Sequence, residues 1–223
     1  MLFCAVILDF KVVLGYNNQA IYFIGLGGSL LSRIFCIVGK SGTGKDTLYK
    51  KIIAQENRSL TPVVPYTTRP KRQDETEGIN YHFVTNQQML ELEQKQLIIE
   101  KREYQTVHGA WSYFTVKFDL LADMDYIIIT TLDGVFKLIE YYGSDMIRVV
   151  YLYLEDKERL LRCINRESLQ KKPNFSEVCR RFLADEMDFN QERMALLDQV
   201  YFIDTGQDVE MCMGKVNQIL KRG

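Results

Sequence analysis

The chain has 223 residues, 47% hydrophobic and 26% charged, with a formal net charge of −1. That is enough apolar material for one domain with its own core, and the balanced charge argues against a nucleic-acid-binding surface. Five cysteines (4, 36, 163, 179 and 212) with no C-x-x-C pair point to reduced thiols in a cytoplasmic protein rather than disulfides or zinc, and two histidines are too few for a histidine-based metal site.

The first 31 residues are rich in apolar side chains, but Asp9, Lys11 and Asn17-Asn18-Gln19 interrupt them. No apolar run reaches the ~18 residues of a membrane span, and neither a basic leading region nor a small-residue cleavage site marks a signal peptide. Stretches 5–16 and 20–26 flank Asn17-Asn18 and predict a hairpin. We expect residues 1–32 to be an N-terminal extension of which residues 1–30 are not naturally translated. Codons for Gly27-Gly28 can spell a purine-rich ribosome-binding sequence just upstream of Leu31, and a leucine codon can serve as a start. An edge hairpin, or an extension with no catalytic role, is the plainer alternative. The intact mass of the protein made from its native locus decides between them.

Residues 34–38, Ile-Phe-Cys-Ile-Val, read as a buried strand. They lead through Gly39, Lys40, Ser41, Gly42, Thr43, Gly44, Lys45, Asp46 and Thr47 into a helix predicted over 46–57, with Leu48, Ile52 and Ile53 on one side. Strand, glycine-rich turn and helix start together form a phosphate cradle. The glycines let the backbone wrap a phosphate, the helix start offers free N–H groups, and Lys45 adds a point charge. The bare G-x-x-x-x-G-K string arises by chance in roughly one chain in twenty of this length, so the flanking strand and helix carry the assignment of residues 39–47 to nucleotide binding. Asp46 stands where this pattern has Ser or Thr, leaving a hydroxyl only at Thr47.

Further strands are predicted at 62–64, 80–84, 97–106, 113–116, 126–131, 147–154 and 200–203, and helices at 86–95, 132–142, 156–167, 176–197 and 209–221. The near-continuous apolar runs at 126–131 and 148–154 suit parallel strands covered on both faces. Residues 80–116 instead alternate short strands and tight connections, as in a small mixed-sheet insert. The fold class is α/β, a parallel core sheet with an inserted subdomain. Within Thr67-Thr68-Arg69-Pro70-Lys71-Arg72, two arginines three apart around a proline can converge on one phosphate, with Tyr81 as a neutral donor. A solvated basic turn is the alternative reading.

Together, Gly39–Lys45, Thr67–Arg72, Glu75, Gly78-Ile-Asn-Tyr-His-Phe83, Ile99-Glu-Lys-Arg-Glu-Tyr104, Trp111-Ser-Tyr-Phe-Thr115, Asp133-Gly-Val135 and the arginines of 162–181 resemble guanylate kinase over about 33–205. The resemblance implies a P-loop NTPase-type domain over 33–223, with a nucleoside-monophosphate-binding insert at about 66–116 and a helical lid at about 158–185. It implies ATP and GMP or dGMP as ligands, Mg²⁺ as cofactor, and neither nucleic acid nor membrane as partner. Arg69, Arg72, Tyr81 and Tyr113 would hold the GMP phosphate and Glu100 the guanine edge, with Thr115 and Thr131 in the same site. Lys45, Arg162, Arg166 and Arg181 would act on the transferred phosphates. Arg162 and Arg166, four apart on a predicted helix, can both face the cleft; an ordinary solvated helix face is the alternative.

Departures from the pattern cluster at the base and the metal. Pro65 stands where the family often has a serine, and Ile129 and Thr131 replace an acidic strand end. Tyr113-Phe114-Thr115 replaces a tighter Tyr-Gly-Ser/Thr segment, preceded by about four extra residues around Gln105–His108. We expect Asp46 to supply the metal-site charge and Thr131 to orient a bound water; a helix cap is the competing role for Asp46. The reading is phosphoryl transfer from ATP to GMP or dGMP. A kinase of other base specificity, or a binding module of the same fold without catalysis, are the alternatives.

Overall fold

A computed structural model describes residues 10–12, 23–25, 32–55, 60–73, 75–106 and 109–222. The chain divides into two units, Met1–Leu31 and Ser32–Gly223. In the first, β1 (Phe10–Val12) pairs antiparallel with β2 (Phe23–Gly25), Phe10 opposite Gly25 and Val12 opposite Phe23. The expected turn residues, Asn17 and Asn18, lie outside the described residues.

The second unit is built on β3 (Ile34–Val38), whose five residues are all 0–1% exposed. Burial of both faces is why this segment reads as an unbroken apolar run. It lies in a five-stranded sheet ordered β11-β10-β3-β9-β4, every pair parallel, from β4 (Leu60–Pro62), β9 (Asp125–Ile129), β10 (Ile147–Tyr153) and β11 (Val200–Asp204). Alternation splits the core by face. Ile34, Cys36 and Val38 pack with Ile128, Val149 and the apolar side of α3 (Leu132–Tyr142). Phe35 and Ile37 pack with Ile127, Val150, Leu152, Leu48 and Ile52 of α1 (Lys45–Ile53), and Met213 and Val216 of α7 (Val209–Arg222). Strand order changes direction around β3, so the carboxyl ends of β3 and β9 open a crevice.

The chain leaves the core after β4 and forms a second sheet, β6-β5-β8-β7, of mixed direction. Its strands are β5 (Tyr66–Thr67), β6 (His82–Phe83), β7 (Ile98–Thr106) and β8 (Gly109–Val116), with α2 (Asn86–Gln94) between β6 and β7. Thr85 and Gln88 start α2 with a reciprocal capping box. In β7, Ile98 faces Val116 while Glu100 faces Thr115, a bulge that spends one extra residue at Ile99 and re-aims Glu100.

After β10 come α4 (Asp156–Ser168) and α5 (Phe175–Asp188), then the short α6 (Gln191–Met194). The continuous helix expected over 176–197 is therefore broken. Asn190 ends it by accepting from the Arg193 N–H at 2.9 Å and opening a new turn. The first strand expected after α1 lies at 60–62 rather than 62–64, and β5 was not foreseen, since two residues carry no periodicity. Among the described residues no helix is long and apolar enough to cross a membrane.

One packing contact is unusually close. A Cβ on Gly134, in the first turn of α3, would lie 2.0 Å from Thr130 Oγ1, a buried hydroxyl without a hydrogen-bond partner. Gly134→Ala should cost about 1–3 kcal/mol through that overlap. Thr130→Ala in the same background should recover most of it by removing both the clash and the unpaired hydroxyl. Thermal melts of the two single variants and the double variant check this; additive losses would contradict it.

Candidate active site

The segment between β3 and α1 must turn a buried strand into a helix along residues 39–44. Gly42 has φ +86°, and a Cβ there would meet the Arg159 carbonyl oxygen at 2.5 Å and Cys163 Sγ at 2.9 Å. Glycine alone fits, because the loop lies directly on the backbone of α4. Gly39 closes the strand end, where a Cβ would meet the Leu152 carbonyl oxygen at 2.4 Å. The buried Thr43 donates its hydroxyl to the Lys40 carbonyl at 2.8 Å. Lys45 bends back over the loop, its ammonium donating to the carbonyls of Gly39 and Lys40. Burial lowers its proton affinity, opposed by the charges of Asp46 and Asp185 and reinforced by Arg166.

Two donors of this loop are engaged by carboxylates of α5. The Ser41 N–H donates to Asp185 Oδ2 at 2.7 Å, and Lys40 Nζ to Glu186 Oε2 at 2.6 Å. Both acids are tied to Arg159 of α4. Its fully buried side chain bonds Asp156 Oδ1 at 2.7 Å and Glu186, stands 3.5 Å from Asp185, and rests 3.7 Å over the Phe182 ring. Sequence reasoning missed Arg159, Asp185 and Glu186. The available signal was Arg159 lying three residues before Arg162, on the helix already singled out.

The other arginines of this region separate. Arg162 donates to the Thr205 carbonyl at 3.2 Å, beyond β11. Arg166 is exposed and its charge reaches Lys45. Arg181 lies 3.6 Å from Glu177, whose carboxylate is bonded by Arg180, and its buried Nε makes no hydrogen bond.

On the insert, Arg69 is buried and uses most of its donors internally. Nη1 and Nη2 fork onto Glu75, each at 2.7 Å, Nη1 also reaches the Pro70 carbonyl at 2.9 Å, and Nε donates to the Tyr113 hydroxyl at 3.1 Å. The two-pronged phosphate grip read from the sequence is thus directed at Glu75 in this structure. Tyr113 accepts from Arg69 and so keeps its own proton to donate. Tyr81, Phe83 and Tyr113 lie 5.3–6.0 Å from the guanidinium. Arg72 is exposed, and its N–H donates to Glu75 at 2.8 Å. The Arg69 guanidinium holds the Glu75 carboxyl down at about 2, below the ordinary 4.5.

Glu100 is buried on β7. It accepts from the Thr115 hydroxyl at 3.0 Å and from Arg102 Nε at 3.2 Å and Nη2 at 3.4 Å. Arg102 drew no attention in the sequence because it lies inside the unbroken charged run Glu100-Lys101-Arg102-Glu103. Next to it lies a cavity of about 270 Å³ whose walls include Arg102, Tyr104, Thr131, Asp133 and Asp188. Thr131 serves as N-cap of α3, accepting from the Gly134 N–H at 3.3 Å. Asp188 at the cavity wall is pushed up by burial and by Asp133.

Asp46 is exposed in the first turn of α1. The cap of that helix is Gly44 and no side chain caps it, so the competing role for Asp46 loses its hydrogen bond. Among the described residues no group of three His, Cys, Asp or Glu side chains could hold a metal ion. An exposed carboxylate beside a phosphate loop fits Mg²⁺ completed by phosphate oxygens and water.

The model of the guanylate kinase family matches residues 31–118. Guanylate kinase of Helicobacter hepaticus is 30% identical over 136 residues, 60% of this chain and 67% of that protein. That of Novosphingobium aromaticivorans is 29% identical over 199 residues, 84% of this chain and 80% of its own. In fold, the chain is similar to the crystal structure of guanylate kinase from Anaplasma phagocytophilum, with a TM-score of 0.58, 16% identity and 86% of each chain covered.

The Arg69–Glu75 pair generates a pH prediction. A carboxyl whose folded pKa is depressed stabilises the fold above its unfolded pKa and loses that contribution as pH falls through the folded value. Glu75→Gln should therefore lower stability by about 1–2 kcal/mol at neutral pH, allowing for solvent screening. The gap to the parent protein should close between about pH 5 and pH 2, as denaturant titrations across that range would reveal.

Proposed function

This chain belongs to the guanylate kinase family, and on that premise we propose that it phosphorylates GMP or dGMP with ATP, releasing ADP and GDP or dGDP. The observation that carries the reading is the occurrence, within one unit, of a phosphate loop against an arginine-bearing helix and a buried Arg69 bonded to the half-buried Tyr113 on the same insert as the buried acid Glu100. A binding module has no use for a donor-phosphate cradle. The four described cysteines are free thiols, in keeping with a cytoplasmic site for the reaction.

Phosphoryl transfer asks mainly for alignment and for positive charge around the moving group. A phosphate oxygen of GMP attacks the γ-phosphorus of ATP in line, the bond to the β-bridging oxygen breaks, and ADP leaves with that electron pair. The acceptor is already an anion, so no general base is needed. Loop N–H groups and Lys45 stabilise the β- and γ-phosphates, and Arg166 adds charge from the lid helix. The acceptor phosphate is positioned by the Tyr113 hydroxyl, Arg69 and the exposed Arg72. Glu100 accepts from guanine N1–H and the 2-amino group. Asp46 is the residue that would hold Mg²⁺ beside the loop, and the ion would supply further positive charge to the transferred group.

An ADP-release assay with ATP, Mg²⁺ and each nucleoside monophosphate in turn tests the reading. GMP or dGMP should be preferred over AMP, and turnover with none of them would overturn it. Lys45→Ala should remove most turnover while the melting temperature stays near that of the parent; a folded variant of near-full activity would contradict the role of Lys45. Asp46→Asn keeps the shape and removes the charge. It should shift the Mg²⁺ titration of activity to sharply higher concentration with little change in nucleotide-free stability.

A further inference from the structure

Glu100 can meet only the donor side of guanine. The other edge presents O6 and N7, both acceptors, which a carboxylate cannot satisfy, and Pro65, just before β5, offers no side-chain donor. Resting on the guanylate kinase reading, the geometry points to Arg102 as the residue that reads this edge, donating to O6 and N7 while Glu100 takes N1–H and the 2-amino group.

Three observations support the assignment. With a period of two, Glu100, Arg102 and Tyr104 share one face of β7 beyond the bulge. Opposite Glu100 and Arg102 stand Thr115 and Tyr113, the latter bonded to Arg69. Arg102 thus lies between the base reader and the phosphate clamp, where its charge also acts on Tyr81. Second, Arg102 is the one cation among the described residues lining the 270 Å³ cavity, which Glu100 itself does not line, so the guanidinium has open space beside it into which a ligand held at Glu100 can extend. Third, the donor count closes. A guanidinium has five N–H groups, and Arg102 directs Nε and one Nη2 donor at Glu100, the latter at a long 3.4 Å. Nη1 and the second Nη2 donor are left for a ligand, and the ion pair fixes the plane from which they project.

The experiment compares kcat/KM of the full chain for GMP, 7-deaza-GMP (no N7 acceptor) and 6-thio-GMP (a weak acceptor at position 6). Arg102→Ala should lower the preference for GMP over at least one analogue by about ten-fold, with the GMP-to-IMP ratio, which reports the 2-amino group, largely kept. Arg102→Lys retains a charge beside Glu100 but lacks the planar fork. It should show the same loss and decides the matter if the alanine variant is poorly folded. If neither analogue ratio changes in a folded variant, Arg102 is only a partner of Glu100 and the inference is overturned. Failure of the parent protein to phosphorylate GMP at all would instead remove the kinase reading on which this one rests.

Discussion

The buried guanidinium of Arg159 is the constraint from which the arrangement of the phosphate loop follows. A charge with no exposed surface persists in a protein only when it is paired and hydrogen-bonded. Arg159 meets that condition with Asp156 on its own helix and with Asp185 and Glu186 on α5. Those contacts fix α5 against α4, and the same two α5 carboxylates reach the Ser41 N–H and the Lys40 ammonium. The Arg159 carbonyl meanwhile forms the floor under Gly42. One residue therefore sets the position of the loop from below by its backbone and from the side through its partners.

A similar arrangement recurs twice on the insert. Arg69 is mated to Glu75, and Arg102 to Glu100. In both pairs a cation on the insert is held in place by a carboxylate of the same chain. Such pairs contribute little net stability where solvent reaches them, but they remove rotamer freedom before a ligand arrives. Part of the ordering cost of binding is thereby met during folding.

What the sequence made legible is what periodicity and backbone chemistry encode. The strand at 34–38, the glycine turn and the helix after it follow from unbroken burial and from conformations that only glycine adopts. Helix α3 was readable to its ends because Thr131 caps it and Gly143 stops it. Less local features did not show. The helix break at Asn190 turns on one side-chain hydrogen bond, and β5 is too short to have a pattern. At the site, Lys45, Arg69 and Glu100 could be named by type and motif, but their partners could not. Asp185 is 144 positions from Ser41, and only the fold joins them. The spacing of Arg162 and Arg166 describes their proximity on a helix and not their partners, and the bond from Arg162 to the Thr205 carbonyl could not be foreseen from it.

The contact between the Ser41 amide and Asp185 also bears on how the loop meets dissolved salt. An open cradle collects mobile ions from solution and, on taking a phosphate, disperses them into the bulk, so that dilution of electrolyte strengthens the grip. Here the resident anion is tethered. A phosphate entering at Ser41 would have to displace a carboxylate that stays attached to the chain, and no free ion would be liberated at that position. With such a built-in counterion, the hold on a phosphate at Ser41 would be less sensitive to ionic strength than the positive charge of the loop alone would suggest.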